Sequence, residues 1–284
     1  MITKRMKRKL HEILICVDSL WSSTVPQNPL AGNMKTQSMP WPESDIATNF
    51  EMNTRVHKLI NLLSSNNHEC KIERKGSIND GGYFVFINPL PYDGIISFGV
   101  GSDISFEMAL RNPKTVIHFY DNSVEQIPLD IANSVFFKET VGENGVKLDG
   151  AISRLRGSSL LLKCDIEGAE WKLFEEAESK VIQKFEQIVV EFHGLQYLYI
   201  DAVHAQRLCV LEKIFRTHIP IFTNSNNFGK VFLIGGLLVP EVLEVTYLRR
   251  DLHTCSNQGL KRRLPSIQND SKAISWTTSF ELPR

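Results

Sequence analysis

The sequence lacks a long apolar run, an excess of one charge and paired cysteines. No apolar stretch in its 284 residues approaches the ~18 residues that span a bilayer, so we expect no stable membrane insertion. Lysine and arginine together number 32, as do aspartate and glutamate, so the formal net charge is zero and nucleic-acid binding is disfavoured as the main role. The five cysteines are scattered and form no CxxC pair, which predicts a reduced, cytoplasmic setting.

Composition divides the chain into four regions. Prolines and small polar residues predict an irregular and initially basic arm, and hydrophobic periodicity then predicts a helix and strand extension. A larger patterned domain follows, and the last region is polar and weakly patterned. The four regions are the N-terminal arm at 1–50, the extension at 51–93, the main domain at 94–248 and the C-terminal tail at 249–284.

The main domain alternates short apolar runs with amphipathic segments, which is typical of an α/β fold with a parallel sheet. The predicted strands are 95–98, 115–120, 134–137, 160–164, 187–192 and 219–223. The predicted helices are 104–111, 124–132, 147–154, 168–185 and 202–217. Two last apolar runs, 230–238 and 240–248, have no helix between them, so we expect antiparallel strands that complete one edge of the sheet.

Ligands of open α/β sheets bind beyond the carboxyl ends of the strands. Gly99 and Gly101 follow the first sheet strand, and Asp121 ends the second strand at a spacing that suits a ribose-binding acid. Ile104 occupies the position of the third glycine in the dinucleotide-binding motif GxGxxG, so Gly99 and Gly101 are equally consistent with a purely structural turn. Asp121 is equally compatible with a helix N-cap.

Acids cluster where a phosphate site would otherwise be expected. The run 160–164 ends at Asp165, and Glu167 and Glu170 follow at the start of a predicted helix, whose N-terminus carries partial positive charge. Complementation of the helix dipole would explain Glu167 and Glu170 but not Asp165. Together with Glu191, these acids favour S-adenosylmethionine, which has a sulfonium and no phosphate, over NAD.

Several segments resemble one enzyme family. LKCDIEGAEW at 162–171 resembles the signature of FkbM-type S-adenosylmethionine-dependent methyltransferases. IISFGVGSDISFE at 95–107 resembles the first cofactor motif of a branch of that superfamily, and DGGY at 80–83 resembles the element before it. VVEFHG, NNFG and PEVLEVTYLR continue the similarity in the same order, so it covers roughly residues 70–250.

The resemblance implies a Rossmann-like class I methyltransferase fold for the main domain. Its sheet would have seven mostly parallel strands, with the C-terminal strand inserted antiparallel and helices on both faces. Residues implied to bind the cofactor are Gly99, Gly101, Asp103, Asp121, Asn122 and Asp165. Many members carry an acid where this chain has Ser97, and either Glu107 or Asp103 could supply that carboxylate from the helix side.

The same resemblance places Asp165 and Glu167 at the reaction centre and implies O-methylation of a saccharide or another small metabolite. His193 is the leading candidate for a general base, because an imidazole commonly titrates near neutrality, and Asp165 is the second. A histidine that only hydrogen-bonds within its loop fits equally well. Glu191, Asn226 and Asn227 are candidates for binding the acceptor.

Three alternatives stay open at the level of sequence. The favoured interpretation contains no metal ion, but Asp165, Glu167, Glu191 and His193 could form a divalent metal site. A catalytically degenerate domain could bind the cofactor, or only a partner through the basic N-terminal arm. An NAD-dependent oxidoreductase is the third possibility.

Overall fold

The computed structural model describes residues 46–64, 71–78, 80–88, 90–127, 131–226 and 229–252. Most of the predicted N-terminal arm, nearly all of the tail and the candidate residue Asn227 lie outside these ranges. Within them, no helix combines the length and the apolar character that crossing a membrane requires.

The described residues form an α/β fold around a seven-stranded sheet. In chain order, the strands are β1 (Ile72–Gly76), β2 (Gly82–Phe86), β3 (Gly94–Phe98), β4 (Val116–Tyr120), β5 (Ser134–Phe137), β6 (Leu160–Cys164), β7 (Phe185–Phe192), β8 (His218–Ser225), β9 (Val231–Ile234), β10 (Leu237–Pro240) and β11 (Leu243–Arg249). The helices are α1 (Ile46–Leu63), α2 (Ser105–Leu110), α3 (Leu148–Ser153), α4 (Glu170–Glu176), α5 (Ser179–Ile182) and α6 (Asp201–Thr217). Short 3-10 helices lie at Leu195–Tyr199 and Arg250–Leu252.

The sheet has the order β5-β4-β3-β6-β7-β11-β8, and every pair that excludes β11 is parallel. β11 pairs antiparallel with both β7 and β8. The predicted mostly parallel sheet of seven strands, with its last strand inserted antiparallel, is therefore present, and the architecture is consistent with a Rossmann-like fold.

The expectation that the last two apolar runs complete one sheet edge is wrong. β9 and β10 pair only with each other, in a hairpin that turns at Gly235 and Gly236 with φ of 59° and 80°. Two adjacent glycines with positive φ suit a two-residue hairpin turn, whose twist matches that of the flanking strands. β11 lies inside the sheet, so the edge belongs to β8.

Two helix predictions also need correction. Of the predicted helix 124–132, residues 128–130 lie outside the described ranges, and the other residues form bends and turns but no helix. Just before them, Asp121 accepts hydrogen bonds from both the backbone and the side chain of Ser123 in a local turn. The predicted helix 168–185 divides into α4 and α5. Lys213 Nζ donates to the carbonyl groups of Phe174, Glu175 and Ala177, which satisfies the end of α4 and stops it there.

Both sheet faces are buried, as the continuous apolar character of β3 and β6 predicts. Ile96 and Leu162 belong to the core beneath helices α1 and α3–α6. Ile95 and Leu161 belong to the opposite core, which α2 and the β1–β2 hairpin cover. Helices therefore pack on both faces, although a hairpin supplies much of the second layer.

Polar side chains fasten that hairpin to the sheet. Gln187 of β7 is completely buried, and its amide bonds both the N–H of Phe86 at 2.8 Å and the carbonyl of Phe86 at 3.2 Å. Thr246 of β11 donates a hydrogen bond to the carbonyl of Phe84. These bonds hold β2, and with it Tyr83, against the polar side chains at the carboxyl ends of β6 and β7.

His218, at the start of β8, is completely buried. Its Nε2 lies 3.0 Å from the carbonyl of Phe185, which can only accept, so this nitrogen carries the hydrogen. Its Nδ1 lies 2.9 Å from the hydroxyl of Thr217. Burial lowers the pKa of His218 to about 4 from its ordinary 6.5.

We expect this histidine to make folding stability dependent on pH. Between pH 6.5 and 4 the unfolded chain binds a proton here that the native protein does not, so acidification lowers the free energy of unfolding. From pH 7 to pH 5, the wild type should lose about 2 kcal/mol relative to His218→Gln, which does not titrate. Urea denaturation of both proteins measures this difference, and parallel pH dependences would contradict it.

Candidate functional site

The turn after β3 contains two glycines with different surroundings. Gly99 has φ of 71°, and a Cβ there would lie 1.5 Å from the backbone oxygen of Asp165. Gly101 has φ of 57°, yet no described atom lies within 4 Å of the place where its Cβ would stand. Gly99 is therefore required by the close approach of β3 and β6, whereas Gly101 faces open space.

Asp121 holds this turn in place. Its Oδ2 accepts hydrogen bonds from the N–H groups of Val100 and Gly101, both at 2.8 Å, and its Oδ1 accepts from Ser123. Asp121 is therefore not a helix N-cap, and its observed partners are backbone groups of the glycine turn. Asn122 is exposed and donates to Thr140 Oγ1 at 3.0 Å. The predicted cofactor contacts of both side chains stay predictions.

A carboxylate does reach Ser97 from the helix side. Ser97 donates a hydrogen bond to Glu107 Oε1, and both residues are almost completely buried. Glu107 Oε2 is buried and has no hydrogen-bond partner among the described residues. Asp103 instead accepts from the N–H of Ser105 at 2.8 Å. Of the two acids proposed to replace one at position 97, the geometry favours Glu107.

Lys163 is the buried cation of the site. Its Nζ donates to the carbonyl of Gly99 and lies 3.3 Å from Asp165 Oδ2, which also accepts from the hydroxyl of Tyr83 at 2.9 Å. Burial disfavours a charge on Lys163, but the carboxylates of Asp165 and Glu107 outweigh it and raise its pKa. Lys163 therefore stays charged and offsets part of the surrounding negative charge.

The ring of His193 stands among four carboxylates. Its Nε2 lies 3.5 Å from Glu167 Oε2, 3.6 Å from Glu191 Oε1 and 3.9 Å from Asp165 Oδ1. On the other side of the ring, Nδ1 lies 3.3 Å from Glu170 Oε1, which also accepts from the backbone N–H of His193 at 2.6 Å. The predicted reaction-centre residues are thus brought together around one imidazole.

These carboxylates change the acidity of the imidazole. Burial alone would lower the pKa of His193, but the hydrogen bond to Glu170 and the charges of Glu191 and Asp165 raise it to about 9. The expected titration near neutrality is therefore not met, because the isolated protein holds this ring protonated at neutral pH. Burial and the charge of Asp165 also raise the pKa of Glu191.

Glu170 has a more specific position than helix-dipole complementation requires. It is completely buried, and its Oε2 accepts from the N–H of Gly168 at 2.8 Å while its Oε1 holds His193. Trp171 Nε1 donates to the carbonyl of His193 at 2.8 Å. The first turn of α4 therefore fixes the loop after β7. Glu167, by contrast, has a side chain 87% exposed.

A cavity of about 530 Å³ opens beside His193. Its wall is acidic and includes Asp80, Glu167, Glu191 and Glu241. Asn226 also lines it and donates to Glu191 Oε1 at 2.8 Å. The residues that do not line this cavity include the predicted cofactor contacts Gly99, Gly101, Asp103, Asp121 and Asn122.

No protein-family model matches this chain. A search of curated proteins finds no match either. The methyltransferase interpretation therefore stays a hypothesis, and its support comes from the resemblance and from the geometry of the site.

Three residues of the site have roles that the sequence does not reveal. Tyr83 lies in the DGGY segment, but its bond to Asp165 depends on how the hairpin folds over the sheet. Lys163 was visible as a lone charge within an apolar strand, and a buried lysine requires a partner. Glu170 was noted without its role, because nothing in the sequence indicates that it bonds His193.

Alanine substitutions should separate the two glycines of the turn. Gly99→Ala places a Cβ against a backbone oxygen, so we expect a loss of about 3 kcal/mol or more in the free energy of unfolding. Gly101→Ala meets only the cost of a positive φ, about 1 kcal/mol. Chemical denaturation measures both, and equal losses would contradict the assigned difference.

Proposed function

We propose that this chain is an S-adenosylmethionine-dependent methyltransferase that transfers a methyl group to a hydroxyl of a saccharide or another small metabolite. The observation that carries the proposal is an open glycine turn beside a group of carboxylates at the carboxyl ends of β3, β6 and β7. Such a site suits a cofactor that carries positive charge and no phosphate. The antiparallel insertion of β11 is a further feature that the resemblance implies.

The residues present fit such a cofactor. Gly101 and Gly168 have positive φ, and at both a Cβ would enter space in which no described atom lies within 4 Å. A ligand can therefore approach the backbone closely on either side of Asp165. Gly101, Asp121 and the carboxylates of Asp165 and Glu107 are the groups that we propose to hold it, and the bound cofactor would supply an electrophilic methyl group.

The acceptor would occupy the acidic cavity. Asn226 lines it and offers an amide group that can orient a hydroxyl, while Tyr197 offers an aromatic face for a sugar ring. Correct placement of the acceptor oxygen supplies much of the rate enhancement in such a reaction. The acceptor oxygen would lose its proton as it gains the methyl group, and Asp165, whose Oδ1 lies 3.9 Å from His193 Nε2, is the carboxylate that would take that proton.

A dinucleotide cofactor fits this site less well. Arg207 lines the cavity, but it donates to the carbonyl of Gly194 and lies over the ring of Trp171 at 5.0 Å. Its charge is thus engaged within the protein, and the other charged groups of the wall are mainly acids. At the glycine turn proposed for the cofactor, the N–H groups of Val100 and Gly101 that could bind a pyrophosphate already donate to Asp121, which disfavours the oxidoreductase alternative.

Calorimetry of the full chain with S-adenosylmethionine tests the proposal. We expect binding that Gly101→Ala weakens at least tenfold, because its Cβ enters the space proposed for the cofactor. Gly236→Ala is the matched control. Gly236 also has a positive φ, 80°, and the nearest described atom to its Cβ position, Asn53 Nδ2, is 4.0 Å away; because it lies in the β9–β10 hairpin, its variant should bind normally.

The outcomes separate the alternatives. Absence of binding by the folded wild type would refute the proposal, and a signal with NADH instead would favour an oxidoreductase. If the protein binds S-adenosylmethionine but mass spectrometry detects no methyl transfer to any component of a cell extract, a catalytically degenerate binding protein is favoured. Equal weakening by both glycine substitutions would show that backbone strain, not occupied space, lowers the affinity.

A further inference from the structure

We propose that His193 Nε2, Asp165 Oδ1 and Glu167 Oε2 bind a divalent transition-metal ion. The contacts of these residues support the metal site by themselves, whereas its suggested role, to hold the acceptor oxygen, rests on the proposed methyl transfer. The ion would be an addition to the favoured interpretation of the sequence, which contained no metal.

The spacing of the three atoms suits a shared ion. One ligand atom from each of these residues lies within 4.8 Å of the others. The distances from His193 Nε2, 3.5 Å to Glu167 and 3.9 Å to Asp165, are too long for good hydrogen bonds. Ligand atoms held tetrahedrally at ~2.1 Å from a metal lie about 3.4 Å apart. Small side-chain adjustments would therefore complete the coordination.

Supporting contacts orient two of the three ligands, His193 and Asp165. Glu170 is completely buried and bonds the opposite ring nitrogen of His193, so Nε2 is directed toward the carboxylates. A carboxylate behind a histidine is the usual support of a metal-bound imidazole. Asp165 has its Oδ2 held by Tyr83 and Lys163, which leaves Oδ1 directed toward His193.

The local charge also calls for a cation. The carboxylates of Asp165, Glu167, Glu170 and Glu191 surround His193, and Lys163 is the buried cation beside them. Like charges at such short range are costly unless a positive charge lies between them. In the isolated protein a proton on His193 supplies one such charge, and a divalent ion would replace that proton and bring two charges to the centre of the group.

The ligand types indicate the class of ion. A ligand set of one imidazole nitrogen and carboxylate oxygens suits Mn²⁺, Fe²⁺, Co²⁺ or Zn²⁺ better than it suits Ca²⁺, which prefers oxygen ligands alone. Glu167 is 87% exposed, so an ion can enter from solvent. Both Glu167 and His193 line the acidic cavity, so remaining coordination positions would face the space proposed for the acceptor. Glu191 Oε1 lies 3.6 Å from Nε2 but already accepts a hydrogen bond from Asn226, so it is not counted among the ligands.

Metal binding by the full chain tests this inference without any measurement of activity. We expect Mn²⁺ to bind in calorimetry and in electron paramagnetic resonance, and Co²⁺ to give visible absorption bands that report an ordered ligand set. His193→Gln and Asp165→Asn should weaken binding about 100-fold or more. Glu170→Gln should weaken it about 10- to 100-fold, because it removes only the support of the imidazole.

Glu241→Gln is the matched control, since Glu241 lines the same cavity and bonds Gln196 at 3.0 Å, away from His193. Its Mn²⁺ affinity should stay within about twofold of the wild type. Equal weakening by Glu241→Gln and His193→Gln would overturn the site in favour of diffuse attraction by an acidic wall. Absence of metal binding by the folded wild type would also overturn it.

The result is distinguishable from the test of methyl transfer. If the protein binds S-adenosylmethionine but does not bind Mn²⁺, the metal site is refuted and the proposed function stands. If it binds Mn²⁺ but does not bind S-adenosylmethionine, the proposed function is refuted and the metal site stands.

Discussion

The ion pair between Lys163 and Asp165 is the interaction on which the rest of the site depends. Lys163 belongs to a central strand of the sheet and is almost completely buried. A lysine in that position is costly unless its charge is paired, and its partners are Asp165 and the carbonyl of Gly99. The pair therefore joins the carboxyl ends of β3 and β6 and directs Asp165 toward the end of β7.

A second set of contacts connects different elements around His193 in a similar way. Glu170 begins α4, yet it bonds both the backbone and the ring of a residue that follows β7. The helix start, the strand end and the imidazole are thus joined by hydrogen bonds. The carboxylates around His193 therefore have defined positions, and the acidic cavity lies beside them.

The fold was largely predictable because its determinants are local. Strands β3, β4, β6 and β7 were all predicted within a few residues, since continuous apolar runs bounded by turns are typical of buried parallel strands. The errors fell where long-range contacts decide. Lys213 from α6 ends α4, and the Gly235–Gly236 turn separates the β9–β10 hairpin from the main sheet.

The sequence by itself determined the α/β class, the glycine turn after β3 and an acid at the end of β6, because strand periodicity and turn chemistry are properties of neighbouring residues. Only the tertiary structure decided that Glu107 reaches Ser97, that Tyr83 bonds Asp165 and that four carboxylates surround His193. All of these contacts except that of Glu191 with His193 join residues ten or more positions apart, and the charge that each side chain carries depends on burial. The pKa of His193 accordingly departs from its ordinary value, which no sequence pattern could indicate.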